Sequence, residues 1–175
     1  MGAIQTQYDK MAAYLIRRDG EIKVGVADVT LPKISYMTDT ISGAGIAGEV
    51  ETPTIGHLGS IEFGITWRTI NADLINMAAP VIHNIEFRGA QQVINPGDEL
   101  FTVEPIRIVV RGIPKEVDLG KGQIASKTDS ENTLEVIYLK VEVNDKTELE
   151  FDKFNYICNI GGTDYYQLIR EALGI

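Results

Sequence analysis

Apolar and polar residues alternate along several stretches of this chain, a pattern that predicts β-strands. The clearest alternation runs from Ser60 to Ile70, where every second residue from Ile61 to Trp67 is large and apolar. Such a strand has one face on a core and the other face away from it. Similar patterns predict strands at 81–88, 91–94, 104–112, 147–151 and 154–160. The strand from 104 is expected to continue past Pro114 with a bend or a sheet edge there.

Turn residues lie between these strands. Asp19-Gly20 separates two short apolar runs within Tyr14–Val29 and predicts a β-hairpin. The segments 95–98 and 144–146 predict two further turns. The stretch from Leu134 to Val143 has apolar residues in both alternating positions, which predicts a strand covered on both faces.

Two short helices are predicted. Asn71 is a suitable N-cap for a helix over 72–78, whose inward residues would be Leu74, Ile75 and Ala78. Near the end of the chain, Asp164 and Gln167 fit a capping box. An apolar stripe follows, made of Tyr165, Leu168, Ile169, Ala172 and Leu173, with Gly174 in the C′ position.

These elements predict a mainly β chain, an antiparallel β-sandwich or barrel of eight or nine strands with two short α-helices. Residues 1–13 have no clear period and are expected to form an N-terminal arm. Residues 14–175 are expected to form a single β domain, since this length is typical of one domain with its own core.

The stretch Thr40–Ser60 is rich in glycine and is interpreted as a long flexible loop. Its segment 43–48 has the G-x-G-x-x-G spacing of dinucleotide-binding turns, which require a preceding strand and a following helix. Pro53 and further glycines leave no stretch long enough for that helix, and Glu49 and Glu51 would repel phosphate. A nucleotide-binding enzyme is therefore the least favoured hypothesis, and a mobile or partner-bound loop is the default.

The formal charge of −9 argues against a protein that holds nucleic acid through its phosphates. The segment 129–152 contains eight acidic residues and two lysines, so the negative charge is concentrated there. No apolar run approaches the roughly 20 residues of a membrane span. With a single cysteine and no signal-peptide pattern at the N-terminus, the chain is expected to fold in a cytosol.

Residues for catalysis or metal binding do not stand in useful patterns. His57 and His83 have no His, Cys or carboxylate at metal-ligand spacing. No serine lies in a G-x-S-x-G turn, and Cys158 lies in an apolar pattern typical of a core residue. We therefore expect no enzyme activity and no cofactor.

Four stretches occur in an order that resembles a known family. They are Val29–Lys33 with the loop Ser42–Gly45, then Gly59–Trp67, then Arg107–Asp118, and last Arg170–Ile175. With them, the chain from about Tyr14 to Ile175 resembles the major tail tube proteins of contractile-tailed bacteriophages, which also occur in phage-derived contractile bacteriocins.

The resemblance implies hexameric rings that stack into a hollow tube, with the sheets of the subunits joined in an inner β-barrel. It implies as partners other copies of the chain, the tail sheath, baseplate and tail terminator proteins, and a tape-measure protein in the lumen. DNA would pass through without specific binding, and no membrane insertion is implied. The protein would belong to the virion after assembly in the host cytoplasm.

Two sets of residues receive roles in that setting. The loop is expected to contact a neighbouring subunit or ring through Ser42, Gly43, Gly45, Gly48, Glu49, Glu51 and Pro53. An acidic wall repels phosphate, so the candidate lumen residues are Glu142, Glu148, Glu150 and Asp152. Besides this structural conduit and the nucleotide enzyme, a monomeric β-sandwich binding module remains a third hypothesis.

Overall fold

The computed structural model describes residues 7–95 and 100–175, which form twelve strands and two short helices. The strands are β1 (Gln7–Arg18), β2 (Glu21–Lys23), β3 (Val26–Thr30), β4 (Tyr36–Ser42), β5 (Glu49–Leu58), β6 (Glu62–Trp67), β7 (His83–Asn95), β8 (Leu100–Asp118), β9 (Ser130–Val143), β10 (Lys146–Asp152), β11 (Ile157–Ile160) and β12 (Thr163–Asp164). The helices are α1 (Ala72–Asn76) and α2 (Gln167–Leu173). The prediction of a mainly β chain with two short helices is confirmed, although eight or nine strands was too few.

Ten strands form one antiparallel sheet, in the order β12-β11-β10-β9-β8-β7-β1-β2, with β3 and β6 on a side branch. The branch point is β9, because β8 occupies one of its edges while β6 and β10 share the other. β6 pairs with 130–135 of β9 and β10 pairs with 138–143. β4 and β5 form a separate two-stranded sheet. Strand pairing closes no barrel within the described residues, so the barrel alternative is not found in the single subunit.

One hydrophobic core lies between the two branches. β6 supplies Phe63, Ile65 and Trp67, each at most 1% exposed, which confirms the alternation predicted for this strand. The indole Nε1 of Trp67 donates to Oδ1 of buried Asn132 at 2.8 Å. The Asn132 amide in turn donates to the Leu74 carbonyl at 3.2 Å, so both polar groups are satisfied and α1 is tied to the sheet.

A bulge in β9 explains its doubly apolar pattern. Gly112 of β8 pairs with Val136 while Arg111 pairs with Tyr138, so Ile137 is an extra residue opposite β8. Val136 and Ile137 are consecutive and both buried, which changes the inward positions from even to odd residue numbers. The prediction that both faces of this strand are covered by apolar packing is therefore wrong. The same face of the strand points inward along its whole length, but the residues on that face have even numbers before the bulge and odd numbers after it.

The predicted turns are found where they fall within the described residues. β1 and β2 form a hairpin through Asp19-Gly20, and β9 and β10 form another through Asn144-Asp145. All four of these turn residues have positive φ, as a tight hairpin turn with this twist requires. The predicted turn at 95–98 includes positions 96–98, which lie outside the described residues.

Several element boundaries differ from the predictions. The separate strands at 81–88 and 91–94 are one continuous strand, β7, because Gly89 and Ala90 also pair with β8. The last predicted strand begins late, since residues 153–156 form a turn before β11. Residues 7–13, within the predicted arm, are part of β1 and pair with β7.

α1 begins as predicted, but α2 begins at Gln167 with Tyr166 as its N-cap and without a side-chain cap hydrogen bond, so the capping box predicted from Asp164 and Gln167 is not formed. Both helices present fewer of their predicted residues to the core. Asn71 Oδ1 accepts the Leu74 N–H at 2.8 Å, which confirms the N-cap of α1. Met77 is buried beside Leu74, whereas Ile75 and Ala78 are exposed, because the helix ends after five residues and its last turn rotates Met77 inward. Gly174 has φ 73 and ends α2 as predicted.

Candidate assembly surfaces

The glycine-rich stretch is a projecting β-hairpin. β4 and β5 pair from Tyr36↔Leu58 to Ser42↔Glu49, and residues 43–48 form its tip. The prediction of a long flexible connection is therefore wrong. The glycines are confined to the tip and base, where Gly43, Gly45 and Gly48 all have positive φ. A strand rather than a helix follows the G-x-G-x-x-G segment, so the geometry of a dinucleotide site is not formed.

The hairpin has one polar face, and its other face carries one apolar pair next to the polar pair Asp39 and Thr52. Four predicted contact residues share the polar face, because Ser42 pairs with Glu49 while Glu51 and Pro53 pair with threonines. These threonines are Thr40 and Thr38, and the Thr38 hydroxyl donates to the Glu51 carboxylate.

The apolar pair is Ile41 and Val50, which are opposite each other and which sequence reasoning missed. They are 46% and 49% exposed. A two-stranded sheet is at best marginally stable in water when no third strand or helix covers it. The alternation of polar and apolar residues around Ile41 and Val50 could have predicted two strands, but the nearby glycines led to the interpretation of this stretch as a loop.

The base of the hairpin is fixed to the C-terminal part of the chain. The Tyr166 hydroxyl donates to the Gly56 carbonyl, and a Cβ added at Gly56 would lie 2.2 Å from the tyrosine ring. Tyr166 is 9% exposed, and this burial raises the pKa of its hydroxyl. Lys153 Nζ also donates to the Gly59 carbonyl at 3.1 Å. The hairpin therefore projects from a defined anchor.

The C-terminal helix presents a second apolar surface. The predicted stripe does not enter the core: Leu168 and Leu173 are 77% and 57% exposed, and no residue of α2 is fully buried. Only Ile169 packs against the core from this helix, together with Tyr166 just before it. Apolar side chains of the stripe thus remain available on the surface of the single subunit.

The outward face of the main sheet carries ion pairs. Glu142, on β9, pairs with Arg107 at 3.1 Å and with Lys140 at 2.6 Å. The hydrogen bonds from Lys140 and then from Arg107 hold the pKa of Glu142 below its usual value, although burial opposes them. Arg107 also bonds Glu86 on β7, so the network crosses three strands.

The candidate acids on β10 have different surroundings. Glu148 pairs with Lys146 at 2.7 Å, and Glu150 accepts the Tyr138 hydroxyl at 2.9 Å. Burial, together with the nearby Glu150 carboxylate, raises the pKa of Tyr138 to about 12. Both carboxylates keep part of their surface exposed.

Asp152 is 4% exposed and is bonded within the subunit. Its Oδ1 accepts the backbone N–H groups of Phe154 and Asn155, both at 3.0 Å. Its Oδ2 accepts Asn155 Nδ2 at 2.7 Å and Arg111 at 3.0 Å. Burial by itself would raise the pKa of Asp152, but these hydrogen bonds and the Arg111 charge outweigh it and lower the pKa. Asp152 stabilises the turn between β10 and β11.

We expect this arrangement to give a pH-dependent stability. A carboxyl with a lowered pKa stabilises the fold above its unfolded-state pKa, and that stability is lost as the pH falls through the folded-state pKa. Asp152→Asn should therefore lower the free energy of unfolding at neutral pH by about 1–3 kcal/mol. The loss should shrink as the pH falls below the ordinary value of 3.8. Urea unfolding from pH 7 to pH 2.5, followed through Trp67 fluorescence, measures both effects.

The control for this prediction is Asp145→Asn, which changes an exposed turn carboxylate whose left-handed backbone conformation asparagine also adopts. Its stability should stay within about 0.5 kcal/mol of the wild type. Equal losses in the two variants at every pH would contradict the role given to Asp152.

Residues that sequence reasoning considered for catalysis occupy structural positions. Cys158 is buried, which raises the pKa of its thiol and confirms it as a core residue. His83 is 1% exposed and hydrogen-bonds the Ala79 carbonyl through Nε2 at 3.1 Å, while His57 is exposed on β5. Among residues 7–95 and 100–175, no three His, Cys, Asp or Glu side chains are grouped as a metal site. The helices of these segments are all too short or too polar to cross a bilayer.

The antiparallel sheet, the two-stranded hairpin and the exposed helix stripe define a mainly β protein with apolar side chains on its surface. The chain matches the family model described as Phage tail tube protein FII over residues 9–174, and it belongs to that family. The prediction of a major tail tube protein is thereby confirmed. Members of this family are structural components of the tail tube of the virion, which agrees with the expectation that the chain is not an enzyme.

Two curated relatives cover almost the whole chain. The tail tube protein of Escherichia phage P2 is 27% identical over 162 residues, which is 86% of this chain and 88% of the relative. The major tail tube protein of Serratia phage KSP20 is 26% identical over 168 residues, covering 95% and 96%.

A solved structure shares the fold. It is the sheath/tube terminator of an extracellular contractile injection system, PVC, determined by cryo-EM in the extended state. The TM-score is 0.51 at 14% sequence identity, and the match covers 75% of this chain and 94% of that one.

Proposed function

We propose that this chain forms hexameric rings that stack into the inner tube of a contractile tail, and that the β4–β5 hairpin is the contact between stacked rings. The observation that carries this proposal is the projecting hairpin, whose Ile41 and Val50 have no cover within the described subunit. A projecting, anchored hairpin with an exposed apolar pair fits a groove on another copy. The tip glycines allow close backbone approach there.

The sheet supplies a second contact, within the ring. β2 pairs with β1 only at 16–18, so the same edge of residues 7–15 has no strand partner in the described part of the chain. Unpaired edge strands are templates for pairing with another chain. Six copies joined along their sheets would close the inner β-barrel and remove these edges.

The outward face of the sheet is proposed to line the bore, with Glu142, Glu148 and Glu150 as its acidic residues. Asp152 lies at the edge of this face but is too buried to present charge to a channel. Arg107 on this face pairs with Glu86 and Glu142, and Lys140 also pairs with Glu142, which leaves these cations less able to hold phosphate. Arg17, next to Glu86 on β1, forms no ion pair within the described residues. DNA or another polymer would therefore pass without specific binding.

The remaining partners follow from a place inside a contractile tail. The tube would contact sheath, baseplate and terminator proteins, would hold a tape-measure protein in its lumen during assembly, and would form in the host cytoplasm. The terminator found as a structural relative supports only the shared fold.

The experiment is light scattering and negative-stain electron microscopy of the purified chain across a concentration series. Rings of six subunits and tubes of uniform bore are expected. A species that remains monomeric at every concentration would overturn the proposal in favour of a monomeric binding module. Specific nucleotide binding by such a monomer would instead favour the enzyme alternative.

A further inference from the structure

The loop between β8 and β9, residues 119–129, presents an uncovered isoleucine. Ile124, in the middle of the loop, is 97% exposed. The loop is held in shape, because Lys121 N donates to the Thr128 carbonyl at 2.9 Å and Gly120 N donates to Asp118 Oδ1 at 2.8 Å. It curves around an open cleft of about 740 Å³. When a partner covers an apolar side chain that a fixed loop holds in water, the free energy of the system falls.

The loop and the hairpin lie at opposite ends of β6. The hairpin enters β6 through residues 59–61, whereas the loop meets the other end, where Thr128 N donates to the Arg68 carbonyl at 3.0 Å. The six residues of β6 separate these ends by about 17 Å. A contact between surfaces at opposite ends of a subunit is head-to-tail, and it repeats into an open stack.

The two surfaces also differ in charge. Residues 36–58 contain Asp39, Glu49 and Glu51 and no lysine or arginine. The loop 119–129 contains Lys121 and Lys127, both exposed, and one acid, Asp129, while Asp118 precedes the loop. Asp129 pairs with Lys127 only at 3.8 Å and across two side chains that are mostly exposed. The hairpin is therefore acidic, and the loop carries two exposed lysines that could face it.

We propose that the 119–128 segment is the receptor for the hairpin of a second copy. The tip residue Ile46 packs against Ile124, and Glu49 and Glu51, on the polar face of the hairpin, face Lys121 and Lys127. Ile41 and Val50, on the opposite face, then contact a different part of the next ring. This inference rests on the proposed stacking of rings and names the surface that the hairpin meets. The apolar side chains of α2 are the competing receptor. Tyr166, immediately before α2, contacts Gly56 at the hairpin base, so α2 lies at the same end as the hairpin and is not brought to it by head-to-tail stacking.

Cysteine crosslinking in assembled tubes tests the pairing. The double variant Ile46→Cys/Ile124→Cys, treated with a short bis-maleimide, should give a ladder of covalent oligomers on a denaturing gel. The two single variants and the wild type, whose Cys158 is buried, are controls that should give no ladder. A ladder from Ile46→Cys/Leu168→Cys instead, or no ladder from either pair in tubes that have formed, would overturn the inference. Absence of tubes from the wild type would count against the proposed function itself.

Charge reversal gives an independent measurement. Lys121→Glu/Lys127→Glu should raise the concentration needed for tube formation about tenfold or more, since two attractive pairs become repulsive. Adding Glu49→Lys/Glu51→Lys to the same chain should restore assembly toward the wild-type concentration. Unchanged assembly in the lysine variant, or no recovery in the combined variant while both remain folded, would place the receptor elsewhere.

Discussion

A subunit carrying Ile41→Lys and Val50→Lys is expected to remain folded and to lose tube assembly. The two side chains are directly opposite each other on the hairpin and are about half exposed in the single subunit. Because each side chain is already about half buried, covering the rest of it against a partner contributes about 0.8–1.5 kcal/mol, and burying a lysine in its place is unfavourable. A loss of about 1.5–3 kcal/mol for the pair weakens association by roughly one to two orders of magnitude. Sedimentation and negative-stain microscopy over a concentration series measure this change.

The matched control is Ile70→Lys with Val81→Lys. These residues are 51% and 55% exposed, are of the same two types, and lie outside the hairpin. The control adds the same charge and should assemble near the wild-type concentration. Urea unfolding followed through Trp67, the only tryptophan, should place both double variants within about 1 kcal/mol of the wild type. Equal loss of assembly in both would attribute the effect to charge and not to the hairpin face.

The sequence predicted the elements that local pattern determines. The alternation from Ile61 to Trp67 identified a half-buried strand, and Asp19-Gly20 identified a hairpin, because side-chain periodicity and positive φ are local properties. The bulge at Ile137 could not be predicted in this way. The bulge depends on the register between β8 and β9, which is a contact between residues far apart in the sequence. The inward residues of β9 change from even to odd numbers at the bulge, and this change was interpreted as two apolar faces.

The assembly surfaces were predicted only in part, for a related reason. An apolar periodic pattern predicts that one face of an element is buried, but it does not distinguish burial in the core of the subunit from burial against another subunit. The α2 stripe containing Leu168 and Leu173 therefore had the pattern of a core helix while remaining exposed in the subunit. Ile41 and Val50 illustrate the opposite error. The short stretches around them were interpreted as part of a glycine-rich loop. The pairing of β4 with β5 shows that the two residues form a cross-strand apolar pair.

Gly56→Ala is expected to be the most destabilising conservative substitution in the hairpin region. Gly56 has φ 69, which costs an alanine about 1–2 kcal/mol. The added methyl would also lie 2.2 Å from the buried Tyr166 ring, and such overpacking costs a further 1–3 kcal/mol or so. The free energy of unfolding should therefore fall by about 2–5 kcal/mol. Displacement of the ring should also release the hairpin from its anchor and reduce assembly.

Gly45→Ala separates these two contributions. Gly45 has φ 92 at the hairpin tip, with no atom within 4 Å of the position of an added Cβ. It should lose only the backbone part of the stability, measured by urea unfolding. In the double variant Gly56→Ala/Tyr166→Ala the clash no longer exists, so the two losses should sum to more than the double variant shows. Additive losses, or a Gly56→Ala variant no less stable than Gly45→Ala, would mean that the tyrosine ring does not fix the hairpin base. The orientation of the hairpin would then be fixed by its contact with the next subunit and not by contacts within its own subunit.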